Sequence, residues 1–353
     1  MEQMHGLLQE VLDRKASDLH ITTGVPATIR LHGALLPLND KKLMPNDTKD
    51  IIYSILNDAQ RERLERNLEL DLSYSMPGKS RFRVNVYYQR NSISAAFRVV
   101  PEAISGFRDL NLPEKLEELT KKPRGMVVVT GPTGSGKTTT LAAMIDSINR
   151  RESKHIITIE DPIEFLHSHR KSIVNQREVG QDTKSFANAL KYALREDPDV
   201  ILLGEMRDIE TIAAAITAAE TGHLVLATLH TQDAPQTIDR IVDVFPPFQQ
   251  QQVRVQLAGT IQGIVAQQLL PLKDGTGRIP AVEILVGNPA VRNIIREAKT
   301  HLLYNTMQTS HKDGMRTLDQ SLAELYMHGK VSLEAVLAKA IDPQHMKQMI
   351  GTG

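Results

Sequence analysis

Eight consecutive residues, Gly131-Pro132-Thr133-Gly134-Ser135-Gly136-Lys137-Thr138, complete the pattern G-x-x-x-x-G-K-[ST]. The apolar run Met126 to Val129 stands before them, and a segment with helical spacing follows. That context suits a phosphate loop. Glycines let backbone N–H groups turn inward around phosphate oxygens. A helix starting near Lys137 aims its positive end at the same oxygens. Lys137 can reach the β and γ phosphates of ATP, and the Thr138 hydroxyl can bind Mg2+. The expected nucleotide contacts are therefore Gly131 to Thr138, with Thr139 beside them.

Hydrolysis also needs a positioned water, a proton acceptor and cations to spread charge. Three further apolar runs end on residues that can supply them. Ile156 to Ile159 leads into Glu160-Asp161-Pro162-Ile163-Glu164, Val200 to Leu203 into Gly204-Glu205, and Leu224 to Ala227 into Thr228-Leu229-His230-Thr231. In open parallel sheets, ligands sit outside the carboxyl ends of the strands. Three strands would thus bring carboxylate or imidazole to the side where a fourth brings the phosphate loop. Glu205 reads as a Walker B acid holding Mg2+ or its water shell. Gly204 stands where an Asp is often found, so contact through water is expected. Glu164 is the expected base, with Glu160 and Asp161 as rivals. His230 is placed to sense the γ-phosphate. His223 reads equally well as a structural, hydrogen-bonded histidine.

These residues need an α/β scaffold. From about Glu114 to Phe245 short apolar runs alternate with helical segments, Thr138 to Asn149, Phe186 to Arg195 and Ile209 to Glu220, as in an open α/β sheet. From residue 245 to 353 the chain reads as mostly helical: Gln249 to Gln267, Pro289 to Lys299, Leu318 to His328 and Leu333 to Lys339. Residues 1–100 read as a smaller α+β domain. An amphipathic helix carries Leu7, Leu8, Val11 and Leu12. Short strands follow at 18–22 and 28–32, then a helix from Thr48 to Arg66. Arg81 to Tyr88 alternates Phe82, Val84 and Val86 with Arg81, Arg83 and Asn85, the period of a half-buried strand. Ser94 to Val100 is expected to pair with it. Residues 101–113, with two prolines and a glycine, read as a linker before an ATPase domain at 114–353.

Composition narrows the partners. Lys plus Arg and Asp plus Glu each number 42, so the formal net charge is zero. That balance, with 4% aromatic residues, argues against nucleic acid as the main partner. No cysteine is present, which excludes disulfides and thiolate metal sites. No apolar run approaches the ~18 residues of a membrane span, and the first residues lack the apolar core of a signal peptide. Any membrane contact is expected to be peripheral, without direct insertion.

At this point the residues resemble a family. Glu160 to Glu164 looks like the Asp box of secretion and pilus ATPases. Leu203-Gly204-Glu205-Met206-Arg207-Asp208 looks like their Walker B segment. Thr217 to His223, through Leu229-His230-Thr231, looks like their His box. Ala16-Ser17-Asp18-Leu19-His20 is typical of their N-terminal domain, and Ala290 to Glu297 resembles the signature helix of the PilT-type pilus-retraction subgroup. The similarity covers essentially the whole chain.

The resemblance implies a PAS-like N-terminal domain, a RecA-like P-loop ATPase domain, and a toroidal homohexamer with ATP between the two domains. It implies a cytoplasmic motor for pilus retraction, peripheral at the inner membrane, acting on a platform protein, with the assembly ATPase as a further candidate partner. It carries the family's arginine contacts onto Arg83 and Arg98, with Arg81 a further candidate. It also implies that retraction, though not hydrolysis itself, depends on the Ala290 to Glu297 segment. Within the superfamily, pilus-assembly or type II secretion ATPases are the alternative. Those usually carry a longer N-terminal extension and often a four-cysteine module, which favours retraction here. A RecA-like nucleic-acid translocase and a non-hydrolysing nucleotide-binding regulator are further readings. Charge balance argues against the first, and the acids Glu164 and Glu205 against the second.

Overall fold

The structure, a computed structural model, describes residues 2–101 and 103–351. The chain divides into two compact units, one of Met1–Ala103 with Pro162–Leu166, the other of Ile104–Asp161 with His167–Gly353.

The first unit is a six-stranded antiparallel sheet in the order β3-β2-β1-β6-β5-β4. Its strands are β1 (Asp18–Ile21), β2 (Thr28–Leu31), β3 (Ala34–Pro37), β4 (Glu69–Met76), β5 (Ser80–Gln89) and β6 (Ser92–Val100). Helices α1 (Glu2–Asp13), α2 (Pro45–Tyr53) and α3 (Asp58–Asn67) complete it. Phe82, Val84 and Val86 point inward with Phe97, Leu8 and Ile52, as the period-two pattern requires. The β5–β6 hairpin turns at Arg90 and Asn91, whose φ angles of 46° and 59° give the twist a two-residue hairpin needs. The single helix expected from Thr48 to Arg66 is two. Asn57 breaks it, because its side chain accepts from the Gln60 N–H while the Gln60 side chain accepts from the Asn57 N–H. That reciprocal cap starts a new helix.

The second unit holds a seven-stranded sheet in the order β13-β12-β7-β11-β10-β8-β9. Its strands are β7 (Gly125–Thr130), β8 (His155–Glu160), β9 (Ile173–Glu178), β10 (Val200–Leu203), β11 (Leu224–Thr228), β12 (Ile261–Pro271) and β13 (Arg278–Val286). All neighbours are parallel except β12 and β13. Strands β7, β10 and β11 are buried at every residue, the mark of interior parallel strands covered on both faces. The helices are α4 (Glu114–Leu119), α5 (Lys137–Arg151), α6 (Phe186–Ala193), α7 (Ile209–Glu220), α8 (Ala234–Asp243), α9 (Pro247–Thr260) and α10 (Pro289–Arg296). After them come α11 (Leu303–Thr309), α12 (Leu318–Met327), α13 (Leu333–Leu337) and α14 (Pro343–Met349).

Two expectations are corrected here. The segment read as helix from Gln249 to Gln267 leaves the helix at Thr260 and becomes β12. Buried Val253, Leu257, Ile261 and Ile264 fall at intervals of three or four, so helical spacing persists past the true end. Strand pairing with β7 and β13 wins, because it buries both faces of Ile264 to Gln267. The segment read as a linker instead packs Phe107, Leu110 and Leu112 on the second unit's core.

Strand β13 also carries a buried acid. Glu283 accepts from the N–H of Ala234 at 2.8 Å and of Leu318 at 3.3 Å, the first residues of α8 and α12. Burial pushes its carboxyl up to about 7, although the two backbone donors oppose the shift. A raised folded-state value means that the folded state holds this proton more tightly than the unfolded chain. The associated stability is present below the unfolded value and is lost as pH rises through about 7. Chemical denaturation between about pH 5 and pH 8 should therefore show a steeper fall in stability for the wild type than for Glu283→Gln. Equal slopes would refute this reading of Glu283.

Candidate functional site

Strand β7 ends at Thr130, and the loop Gly131 to Gly136 turns the chain into α5. Gly131 (φ 141°) and Gly136 (φ 90°) both lie in left-handed space. A Cβ at Gly131 would meet the Gln267 carbonyl oxygen at 2.3 Å, and one at Gly136 the Gln267 Nε2 at 2.7 Å. Conformation and space alike thus require glycine at both positions. The loop's Ser135 hydroxyl is buried and has no hydrogen-bond partner among the described residues. Lys137 is buried and donates to the carbonyls of Gly131 (2.8 Å) and Pro132 (3.1 Å). Burial pushes its ammonium below the usual lysine range, while the Glu205 carboxylate works against that shift. Thr138 is exposed at the start of α5.

Glu205 follows β10 and sits 2.7 Å from Arg207 Nε and 3.2 Å from His230 Nε2. Burial raises its carboxyl pKa, but Arg207 and His230 outweigh burial and hold it below the usual range. The acid is therefore ionised at neutral pH. Gly204 has little room for the aspartate often found there. A Cβ would lie 3.3 Å from the Glu160 Cα and the Ile159 carbonyl oxygen. The Gly204 carbonyl in turn accepts from the Thr228 hydroxyl, which ties β10 to β11 beside the two functional residues. His230 is fixed from the rear. Thr130 donates to the Thr231 carbonyl at 2.7 Å, and the Thr231 and Thr237 hydroxyls lie 2.7 Å apart.

The structure thus brings Lys137, Glu205 and His230 into one electrostatic cluster within the second unit. His223 belongs elsewhere. Its Nδ1 lies 2.9 Å from the Ala218 carbonyl oxygen and closes the end of α7, at the opposite end of β11 from His230. Among the rival acids, Glu160 is buried and accepts from Thr158 (2.6 Å) and Gln176 (3.2 Å), whereas Asp161 is exposed and adds to the field on Arg207.

The remaining named residues lie together in the first unit. Arg83 and Arg98 face each other across β5 and β6. Arg83 lies 3.5 Å from Glu164, and Arg98 Nε lies 2.8 Å from buried Asp18. Burial raises the Asp18 pKa, but the Ser17 hydroxyl and the Arg98 charge hold it below the usual range. Both guanidiniums stand on the sheet's exposed face, as the alternation implied.

Sequence reasoning missed one feature of the second unit. A cavity of about 390 Å3 adjoins the phosphate loop, lined by Asn111, Leu112, Gly136, Thr139, Gln267 and Leu269 among others. It is of a size for the base and sugar of a nucleotide. Only Gly136 and Thr139 carried a sequence signal. Asn111 and Leu112 come from the supposed linker, and Gln267 and Leu269 from β12.

The Ala290 to Glu297 segment forms most of α10. Val291 and Ile295 are buried and Ile294 is partly buried. Ala298 lies beyond the helix in left-handed backbone and does not join that face. Arg292 serves four carbonyls: Ala258 at 2.7 Å, Gly259 at 2.5 Å, and Ile261 and Gly287 at 2.8 Å. Two of these are carbonyls of the last turn of α9, which have no partner inside the helix. Arg292 is the C-terminal cap of α9, delivered from α10.

Comparison with known proteins agrees with this architecture. The family model described as "Type II/IV secretion system protein" matches residues 1–275. A Pseudomonas aeruginosa protein described as type IV pilus retractation ATPase PilT is 49% identical over 330 residues, covering 94% of this chain and 96% of that one. A Neisseria gonorrhoeae twitching motility protein is 49% identical over 318 residues, covering 90% of this chain and 85% of that one. A crystal structure of the pilus retraction motor PilT with bound ADP superposes with a TM-score of 0.89 at 50% identity, covering 97% of this chain and 98% of that one.

Replacing Arg292 by Ala should leave these carbonyls unpaired and cost about 1–3 kcal/mol. Arg292→Lys should recover only part of the loss, because a point ammonium cannot span the carbonyls that the planar fork reaches. Thermal unfolding measures both, and an unshifted midpoint for Arg292→Ala would contradict the capping role.

Proposed function

The chain belongs to the type II/IV secretion system protein family, and from that premise we propose that it is the ATPase motor that powers type IV pilus retraction. The observation that carries the chemistry is the cluster of Lys137, Glu205 and His230 beside a glycine loop too crowded for any side chain at Gly131 or Gly136. The relatives of nearly equal length that match across both units carry the biological half.

The loop fits a nucleotide on its own terms. Its glycines approach closely, its Ser135 hydroxyl is buried without a partner among the described residues, and its lysine is buried. The oxygen donors also suit Mg2+, which the Thr138 hydroxyl would hold together with Glu205, the latter through water. When bound, Mg2+ neutralises charge that develops between the β and γ phosphates. Lys137 exchanges its loop carbonyls for phosphate oxygens. Glu205, kept ionised by Arg207 and His230, orients water, and His230 senses the γ-phosphate. Glu164 is the proposed general base. Arg83 and Arg98 supply forked positive charge suited to a phosphoryl transition state.

At the level of architecture, the reading assigns the first unit to a PAS-like domain and the second to a RecA-like domain. It assigns the assembly to a homohexamer held at the inner membrane by a pilus platform protein. Among the described residues no helix is long and apolar enough to cross a membrane.

Glu205→Gln should bind ATP but lose about 100-fold or more in kcat, because the charge that orders water is gone. Lys137→Ala should lose nucleotide binding or turnover. Unaltered turnover of Glu205→Gln in a phosphate-release assay would remove Glu205 from the mechanism. Arg98→Ala and Arg83→Ala should each lower kcat, and normal rates would return both to a solvated sheet face. In the native organism, deletion should leave abundant surface pili without twitching motility. Bald cells would mark an assembly motor instead.

A further inference from the structure

Gln267 on β12 is 2% exposed, and both ends of its amide are engaged. Its Nε2 donates to the Ser135 carbonyl at 2.7 Å, and its Oε1 accepts from the Thr140 hydroxyl at 2.7 Å. The residue follows Ala266, which pairs with Thr130, the last residue of β7 before the loop. Gly131 packs against its carbonyl oxygen and Gly136 against its amide nitrogen. The backbone of Gln267 therefore touches the loop's start, and its side chain touches the loop's end and the first turn of α5.

We propose that Gln267 is a positioning residue that sets the direction of a phosphate-facing N–H in the loop. The Ser135–Gly136 peptide is a rigid plane, and in a trans peptide the C=O and the following N–H point opposite ways. Pinning the Ser135 carbonyl to Gln267 therefore turns the Gly136 N–H away from β12, toward the side where phosphate is bound. The chemistry demands an amide. Ser135 offers only an acceptor, so it needs a donor, while the Thr140 hydroxyl donates and needs an acceptor. The planar amides of Asn and Gln carry both, and Gln has the longer reach. Thr140 thereby spends its hydroxyl on Gln267 rather than on its own helix, which joins loop and helix through the sheet.

The inference rests on the phosphate-loop reading, and its test separates the two. Affinities for ADP and AMP are measured by calorimetry and by competition on the full chain for wild type, Gln267→Glu and Gln267→Met. Glu keeps the acceptor for Thr140 but sets a carboxylate oxygen against the Ser135 carbonyl. Met keeps the length and removes both hydrogen bonds without adding charge, so it serves if Glu prevents folding. The Gly136 N–H directly precedes Lys137, the residue that reaches the outer phosphates, and so serves the β-phosphate, which AMP lacks. ADP affinity should therefore fall about 10- to 100-fold in both variants, while AMP affinity stays near the wild-type value. A merely structural role would weaken ADP and AMP together, and that result overturns the proposal, as does wild-type ADP affinity in both variants. A wild-type chain that binds no ADP would overturn the phosphate-loop reading itself.

Discussion

Main-chain amides can hold phosphate only if the turn carrying them does not collapse onto its own carbonyls. That constraint organises the second unit. The loop between β7 and α5 is braced from behind by β12, where Gln267 fills the space that side chains at Gly131 and Gly136 would need. It is braced from the side by Thr130, which holds Thr231 and with it the approach to His230. Strand β10, tied to β11 through Thr228 and Gly204, presents Glu205. The parallel register that aligns Leu203 with both Ala227 and Ile159 brings these strand ends level. A buried lysine near an ionised acid is costly in isolation. Here the lysine's own loop carbonyls and the acid's contacts with Arg207 and His230 offset that cost.

What could be read in the sequence follows from how local each signal is. The phosphate loop, the acids at the ends of β8 and β10, and the histidine after β11 announce themselves, because their chemistry is compressed into a few adjacent residues. Helix α7 and the β5–β6 pair were legible because apolar period and turn chemistry agree there. Strand β12 was not. Its glutamines and apolar residues continue the rhythm of α9, and only pairing on two sides reveals a strand. The cost of that misreading was Gln267, whose role exists only in three dimensions. The segment 101–113 was misjudged for a related reason. Its prolines and glycine signal a break, yet Phe107, Leu110 and Leu112 have a core to fill. The pairing of Arg83 with Glu164 also had no signal, since the two lie far apart in sequence.

Arg292 shows how a motif residue can be misread from periodicity alone. The apolar face of α10 accounts for Val291 and Ile295, but the arginine between them spends its guanidinium on the end of α9 and the start of β12. The strand that braces the phosphate loop therefore begins at a point fastened from α10. Asn293, Arg296 and Glu297 are the exposed polar residues of that segment. The capping arginine and these outward residues are thus separable in chemistry although adjacent in sequence.

The most direct measurement is a crystal structure of the chain with a non-hydrolysable ATP analogue and Mg2+. The account predicts phosphate oxygens about 3 Å from the backbone N–H groups of residues 134–138 and from Lys137 Nζ. It also predicts that Glu205 faces the γ-phosphate. A nucleotide bound elsewhere, or Glu205 turned away from the terminal phosphate with the Lys137 contacts to Gly131 and Pro132 intact, would contradict it.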